Sequence, residues 1–361
     1  MTKSDNLLQY DFHLQTQGPV FIGCGLKLTK TEYCYLPAEG RIYVLDEDRF
    51  ADYLVQHNLA ELYESFMAHA SQIYRVDLWR DFLVQNRVTL SALKSFSRYT
   101  VRADRALNRE ISRKSVALFQ KDGRSRAYVP GSSIKGALRT ALLTHFLLRD
   151  SANGPLPLTD RTGILEERYF NTLGAAPQRS DAVNSILRGL SVSDSAPIPT
   201  DRLILCQKRD LSIDGRVRLL PLVRECLAPG TEISCSLTID RHILKDWDAS
   251  FLLRCLKESG DFYGKTYLSH YRNYTGKFPS GCPVLFLGGG SGYQTKNVVY
   301  PAEGLAGRKL AVHITAGVMQ RQFRRHHHER DEAIGVSPRM LKTADCGGRQ
   351  TLFGLCTAEL K

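Results

Sequence analysis

"YVPGSSIKGALRTALLTHFLL", Tyr128 to Leu148, sets a Pro-Gly turn, two serines and a lysine directly ahead of a helical pattern. Ile134, Leu138, Ala141 and Leu142 recur at helical spacing and form one apolar stripe. Pro130 and Gly131 make the turn, and Ser132 or Ser133 is placed to cap the helix. An acidic side chain normally complements the positive end of the helix dipole. None is present between Gly131 and Gly136, and Lys135 and Arg139, four residues apart, share a face instead. Hydroxyls, cations and unpaired N–H groups at one helix start predict an anion site, and Gly136 leaves room for another backbone. The competing reading is a capped helix with incidental basic residues.

Overall charge favours the anion reading. Lys plus Arg number 49 against 37 Asp plus Glu, giving +12 and a pI near 9.3, so polyanions are attracted and nucleic acid is the first partner to consider. A hydrophobic share of 43% and a charged share of 24% describe a globular chain, and 361 residues fit two domains. Pro, Ser, Gly and Asp concentrate in "SANGPLPLTDRTG" and "SVSDSAPIPTD", which places a boundary near residue 195 and divides the chain into 1–195 and 196–361. The nine cysteines contain no CxxC pair, which predicts reduced thiols in the cytoplasm, without a disulfide framework or zinc ribbon. No apolar run approaches the roughly 20 residues of a membrane span, so a soluble protein with no membrane partner is expected.

Around the helix, "YDFHLQTQGPVFIGCG" reads as a strand ending in a glycine turn at Gly23 and Gly25. In "RIYVLDEDRFADYLVQH" a strand meets a cap at Asp46 and a helix with Phe50, Tyr53 and Leu54 on one face. Residues 59–118 are helix-rich and charged, then strand-like at "VALFQ". Beyond the boundary, "RLILCQKRDL" and "EISCSLTID" read as strands, "DWDASFLLRCLKES" as a helix capped by Asp246 or Asp248, and "CPVLFLGGGSGYQTK" as a buried strand entering a glycine loop. Strand, strand, helix, strand suggests an α+β unit of split βαβ type.

The nucleotide-binding fingerprints fail, and no cofactor is predicted. Lys135 precedes Gly136 where a P-loop needs Gly-Lys-Ser or Gly-Lys-Thr, and Tyr293 takes the last glycine place of GxGxxG. Gly288, Gly289, Gly290, Ser291 and Gly292, followed by Tyr293 and Lys296, better suit an extended RNA backbone with a stacked base, the alternative being a hairpin tip. In "RRHHHERDE" three adjacent histidines cannot all face one ion, so this is read as a solvated loop with no metal. His13, in the first strand, is a candidate general base, though such a histidine more commonly serves structure.

"GPVFIGCG" at 18–25, "YVPGSSIKGALRTALL" at 128–143, "RECLAPGTEISCSLTID" at 224–240, "LGGGSGYQTK" at 287–296 and "SPRMLK" at 337–342 together resemble the RAMP proteins of CRISPR systems. Their order is most similar to the fifth-subunit family of type III-A Csm effector complexes. The resemblance implies two RRM-like, ferredoxin-like domains with helical insertions, and a non-catalytic subunit that caps the 3′ end of the guide RNA and is needed for its maturation. Its implied partners are CRISPR guide RNA and the neighbouring backbone RAMP subunit, with room for host nucleases. Carried over by position, Gly23, Gly25, Ser132, Ser133, Lys135, Gly136, Arg139, Gly288 to Gly292, Tyr293 and Lys296 would face guide RNA. The alternative is the repeat-cleaving endoribonuclease branch, with His13 as base, and a metal-dependent nuclease using residues 326–329 is a weaker third reading. Incubation with labelled repeat RNA separates them. A binding subunit leaves the RNA intact, whereas metal-independent cleavage abolished by His13→Ala, or cleavage abolished by EDTA, marks an enzyme.

Overall fold

In the computed structural model, which describes residues 6–70, 78–103, 115–154, 156–157, 162–304 and 308–361, the first strand buries Phe12 and Leu14 and turns His13 outward. That alternation makes it a half-buried strand, polar on one face and core on the other. The described elements run β1 (Leu7–Thr16), β2 (Gly23–Leu28), β3 (Tyr33–Leu36), β4 (Arg41–Leu45), α1 (Glu47–Gln56), α2 (Ala60–Ala70), α3 (Leu78–Gln85), α4 (Leu90–Ser95), β5 (Ser97–Arg102), β6 (Val116–Phe119), α5 (Gly131–Ser151) and α6 (Thr162–Phe170). They continue through β7 (Leu190–Val192), β8 (Leu203–Ser212), β9 (Val217–Leu227), β10 (Glu232–Asp240), α7 (Ala249–Thr266), β11 (Val284–Phe286), α8 (Val299–Glu303), α9 (Lys309–Gln322), α10 (Asp331–Ile334), β12 (Met340–Cys346), β13 (Arg349–Leu352) and β14 (Leu355–Leu360).

Five strands form one antiparallel sheet in the order β11-β14-β1-β10-β7. α5 and α7 pack side by side against it, and Ile134, Leu138, Leu252 and Leu256 close over Phe12, Leu14, Ile233 and Leu237. The path β1-α5-β7-β10-α7-β14 is a ferredoxin-like arrangement of two helices on one sheet face. The second sheet runs β2-β6-β9-β8-β5-β4-β3, with β12 added to β8 and β13 to β12. Two sheets with helical insertions give the expected α+β class. Each sheet takes strands from both sides of residue 195, so the units expected on either side of it are interleaved in space.

Local chemistry sets the element ends. Asp46 caps α1 by accepting from the Arg49 amide at 3.2 Å, and α7 is capped by Asp248, not Asp246, which accepts from the Phe251 amide at 2.7 Å. The insertion α1–α4 has its own aromatic core, in which Phe50 and Trp79 meet edge to face at 5.5 Å. β9 has no counterpart in the sequence reading because Pro221 interrupts it. The ladder with β8 shifts register between Gln207 and Arg209, opposite that proline, and an irregularity there tolerates a residue with no N–H. Among the described residues no helix is long and apolar enough to cross a membrane.

Leu138 is fully buried at the contact of α5 with the sheet. Leu138→Ala is expected to lower unfolding free energy by about 2–5 kcal/mol in urea titrations.

Candidate nucleic-acid interface

The start of α5 departs from the sequence reading. Pro130 occupies the cap position, neither Ser132 nor Ser133 caps the helix, and the Gly131 amide donates to Asp194 Oδ1 at 2.8 Å. A carboxylate therefore does meet the helix start, brought by the chain just after β7, and it offsets part of the dipole's positive end. Gly131 is required there, because a Cβ would strike the backbone carbonyls of Val192 and Ser193. Ser132 is exposed and Ser133 half-buried, so both hydroxyls remain open to a ligand.

The glycine loop after β11 folds back across the molecule. The Leu287 amide donates to Gly354 O at 2.7 Å, and the Gly289 amide donates to Phe21 O at 2.8 Å. Gly288, Gly290 and Gly292 have φ of +78°, +98° and +99°, and a Cβ on Gly288 would strike the Phe21 carbonyl oxygen. These backbone demands explain the run of glycines, and they make it a docked loop rather than a hairpin tip.

Between this loop and α5 lies a cleft of about 410 Å³. Three segments far apart in sequence line it: Phe21 to Gly23, then Ser132, Ser133, Gly136 and Thr140 on α5, then Gly288, Gly289, Thr295 and Lys296. α7 adds Ser259 and Gly260. Lys296, exposed, is the one charged side chain among the described lining residues, and none of those residues is acidic. Hydroxyls, backbone and one cation suit an extended anionic backbone more than they suit a reacting centre.

Of the residues singled out from sequence, Gly23, Ser132, Ser133, Gly136, Gly288, Gly289 and Lys296 line this cleft, and the others do not. Gly25 is exposed beside it at φ +86°. Arg139 turns to α6, where it pairs with Glu166 and lies over the Phe170 ring. Lys135 is half-buried, and burial holds its ammonium below the usual lysine range. Ser291 is buried and accepts from the Thr295 hydroxyl at 2.8 Å. Tyr293 is partly buried off the cleft, which removes it as the expected stacking platform there. Phe21, Thr140, Ser259 and Thr295 are lining residues that lie within quoted stretches but were not singled out as site residues.

The histidines lie elsewhere. His13 contacts Glu232 at 3.1 Å on the outer face of the first sheet. The run at 326–328 is not wholly solvated: His327 pairs with Glu329 at 3.0 Å, but His328 is buried against Asp331 at 2.8 Å. Among the described residues no three metal-ligating side chains cluster. A second, wider cleft of about 1210 Å³ is lined by Arg102, Lys277 and Arg349 together with Gly230 and Gly347.

The model of the RAMP superfamily matches residues 13–292. The "CRISPR system Cms protein Csm5" of Mycobacterium tuberculosis is 30% identical, with 98% of each chain covered. The protein of the same description from Streptococcus thermophilus is 29% identical over 84% of this chain and 83% of its own. In structure the chain is similar to Csm5 of T. onnurineus at a TM-score of 0.62 and 19% identity, covering 96% of this chain and 99% of that one. It is equally similar, at 0.62 and 20% identity over 97% of this chain and 100% of the other, to a chain of a cryo-EM Csm-crRNA-target RNA ternary complex of a type III-A CRISPR-Cas system.

Two glycines of the cleft should respond in opposite directions. A Cβ at Gly136 meets nothing within 4 Å, so Gly136→Ala in α5 is expected to raise stability by about 0.5–1 kcal/mol. Gly288→Ala, with its positive φ and blocked Cβ, is expected to lower it by more than about 1 kcal/mol in the same denaturant titration.

Proposed function

The chain belongs to the RAMP superfamily, and from that premise we propose that it is a non-catalytic, RNA-binding subunit of a type III-A CRISPR Csm effector complex. In this reading it holds the 3′ end of the guide RNA in the cleft, caps the complex beside the repeated backbone subunit, and is required for guide maturation. The observation that carries the reading is the convergence of three distant segments on one acid-free cleft. Relatives described as Csm5 over nearly the full chain support the assignment to a Csm complex. The net charge of +12 supports a nucleic-acid partner.

Each part of the cleft has a role on this reading. Ser132 and Ser133 donate hydroxyl hydrogen bonds to phosphate or ribose oxygens, while Thr140, whose hydroxyl donates to the Gly136 carbonyl at 3.2 Å, offers its oxygen only as an acceptor. Lys296 supplies charge where the helix dipole is partly offset by Asp194. Gly136, Gly288 and Gly289 let the strand approach backbone. Contacts of this kind position RNA without reading its bases, so sequence preference is low. His13 lies outside the cleft lining, where its ring contacts Glu232 at 3.1 Å on the outer face of the first sheet.

The test is reconstitution of the complex with and without this chain, followed by sizing of the guide RNA. Omission is expected to leave guides unmatured at the 3′ end. The double variant Gly136→Glu with Lys296→Glu, at exposed positions, is expected to fold normally and to lose RNA affinity by about tenfold or more, with a shallower salt dependence. Wild-type binding and normal guide lengths in this variant would contradict the reading.

A further inference from the structure

Past Gly289 the glycine loop leaves the cleft and runs against the second sheet, where three neighbouring strands each present a cation. Gly290 abuts Arg224 of β9, and a Cβ there would strike its Nη1. Gly292 abuts Lys342 of β12, whose Cγ stands 2.9 Å from an ideal Cβ position. Lys208 of β8, the strand between those two, interacts electrostatically with both. All three lie within quoted stretches, Arg224 at the start of "RECLAPGTEISCSLTID", Lys342 at the end of "SPRMLK" and Lys208 in "RLILCQKRDL", but none was singled out as a site residue.

The cluster is under-compensated. Asp210 is its one carboxylate among the groups acting on Lys208, and it already binds Lys342 Nζ at 2.6 Å. Arg224 lies over the Phe21 ring at 4.8 Å, and its buried Nη1 has no hydrogen-bond partner among the described residues. Burial, then the charges of Lys342 and Arg224, push the Lys208 ammonium down to about 8, against a smaller opposing pull from Asp210. The amides of Gly290, Ser291 and Gly292 donate to no acceptor within the described residues. Desolvated like charges and an unused guanidinium N–H lower stability unless an anion completes them.

We propose that Lys208, Arg224 and Lys342, with the loop amides of Gly290 to Gly292, bind a phosphodiester group of the same RNA strand that occupies the cleft. The glycine loop then carries the strand across from α5 to the second sheet. Charge-assisted hydrogen bonds from a guanidinium and an ammonium to phosphate are the strong kind, and the loop amides add donors of fixed geometry. This inference rests on the RNA-binding reading of the cleft.

The experiment titrates a labelled single-stranded oligouridine into wild type and Lys208→Met across a range of salt, with thermal unfolding of each protein run alongside. Methionine keeps the stem's volume and removes the half-buried charge. Affinity is expected to fall by about five- to tenfold, and the slope of log K against log salt to shrink by about 0.7, the share of one phosphate contact on a single strand. The thermal midpoint is expected to hold or rise, because a half-buried, repelled cation has gone. Wild-type binding with unchanged affinity and slope in the variant overturns this inference and leaves the cleft reading intact. A weaker affinity accompanied by a lower midpoint also overturns it, because Lys208 is then structural. Inorganic phosphate in place of RNA marks a free-anion site if it alone stabilises wild type over the variant, which overturns the RNA assignment. Failure of wild type to bind the oligouridine overturns the functional reading and this inference with it.

Discussion

The Gly289 amide donates to the Phe21 carbonyl at 2.8 Å, and Phe21 pairs with Gly288 as a short parallel bridge. This backbone contact joins the loop after β11 to the segment between β1 and β2. A side chain at Gly288 would occupy the position of the Phe21 oxygen, so the contact exists only with glycine. One wall of the cleft, and the approach of Phe21 to Arg224, both follow from it. A single hydrogen bond contributes only about 1 kcal/mol net, so its importance lies in register: it decides which residues face α5 and which face the second sheet.

The opposite wall is fixed as firmly. Gly131 is clamped between Asp194 and the carbonyls that follow β7, which sets where α5 begins and which way its first turn points. The carboxylate weakens the attraction that a bare helix start would exert, an effect of about 0.3–1 kcal/mol at an exposed site. Arg139 is drawn into a partly exposed pair with Glu166, and such pairs are worth at most about 1 kcal/mol. On the proposed reading, anion binding at the cleft would depend on Lys296, on open hydroxyls and on the overall charge more than on the dipole alone.

Much of the architecture was visible in local pattern. The Ile134, Leu138, Ala141 and Leu142 stripe became the buried face of α5, and Asp46 and the strand before it, Ile42 to Leu45, fell where their types required. The three segments that line the cleft were also legible, because runs of glycines, hydroxyls and lysine set each of them apart within a few residues. What stayed hidden depends on register between distant strands. Asp194 reaches Gly131 only after β7 is paired, and Lys208, Arg224 and Lys342 become neighbours only when β9, β8 and β12 are laid side by side. Pro221 concealed β9 because a bulge, invisible in sequence, accommodates it. Tyr293 and Ser291 misled for a related reason: the loop's alternating positive φ values turn one partly and the other fully inward.

The central claim is that an RNA strand lies in the cleft between α5 and the glycine loop. Photo-crosslinking of guide RNA bearing 4-thiouridine near its 3′ end, within the assembled complex, tests it most directly. The account predicts crosslinked peptides containing residues 21–23, 132–140 and 288–296. Crosslinks confined to the wider cleft around Arg102, Lys277 and Arg349, with none in those three segments, would contradict it.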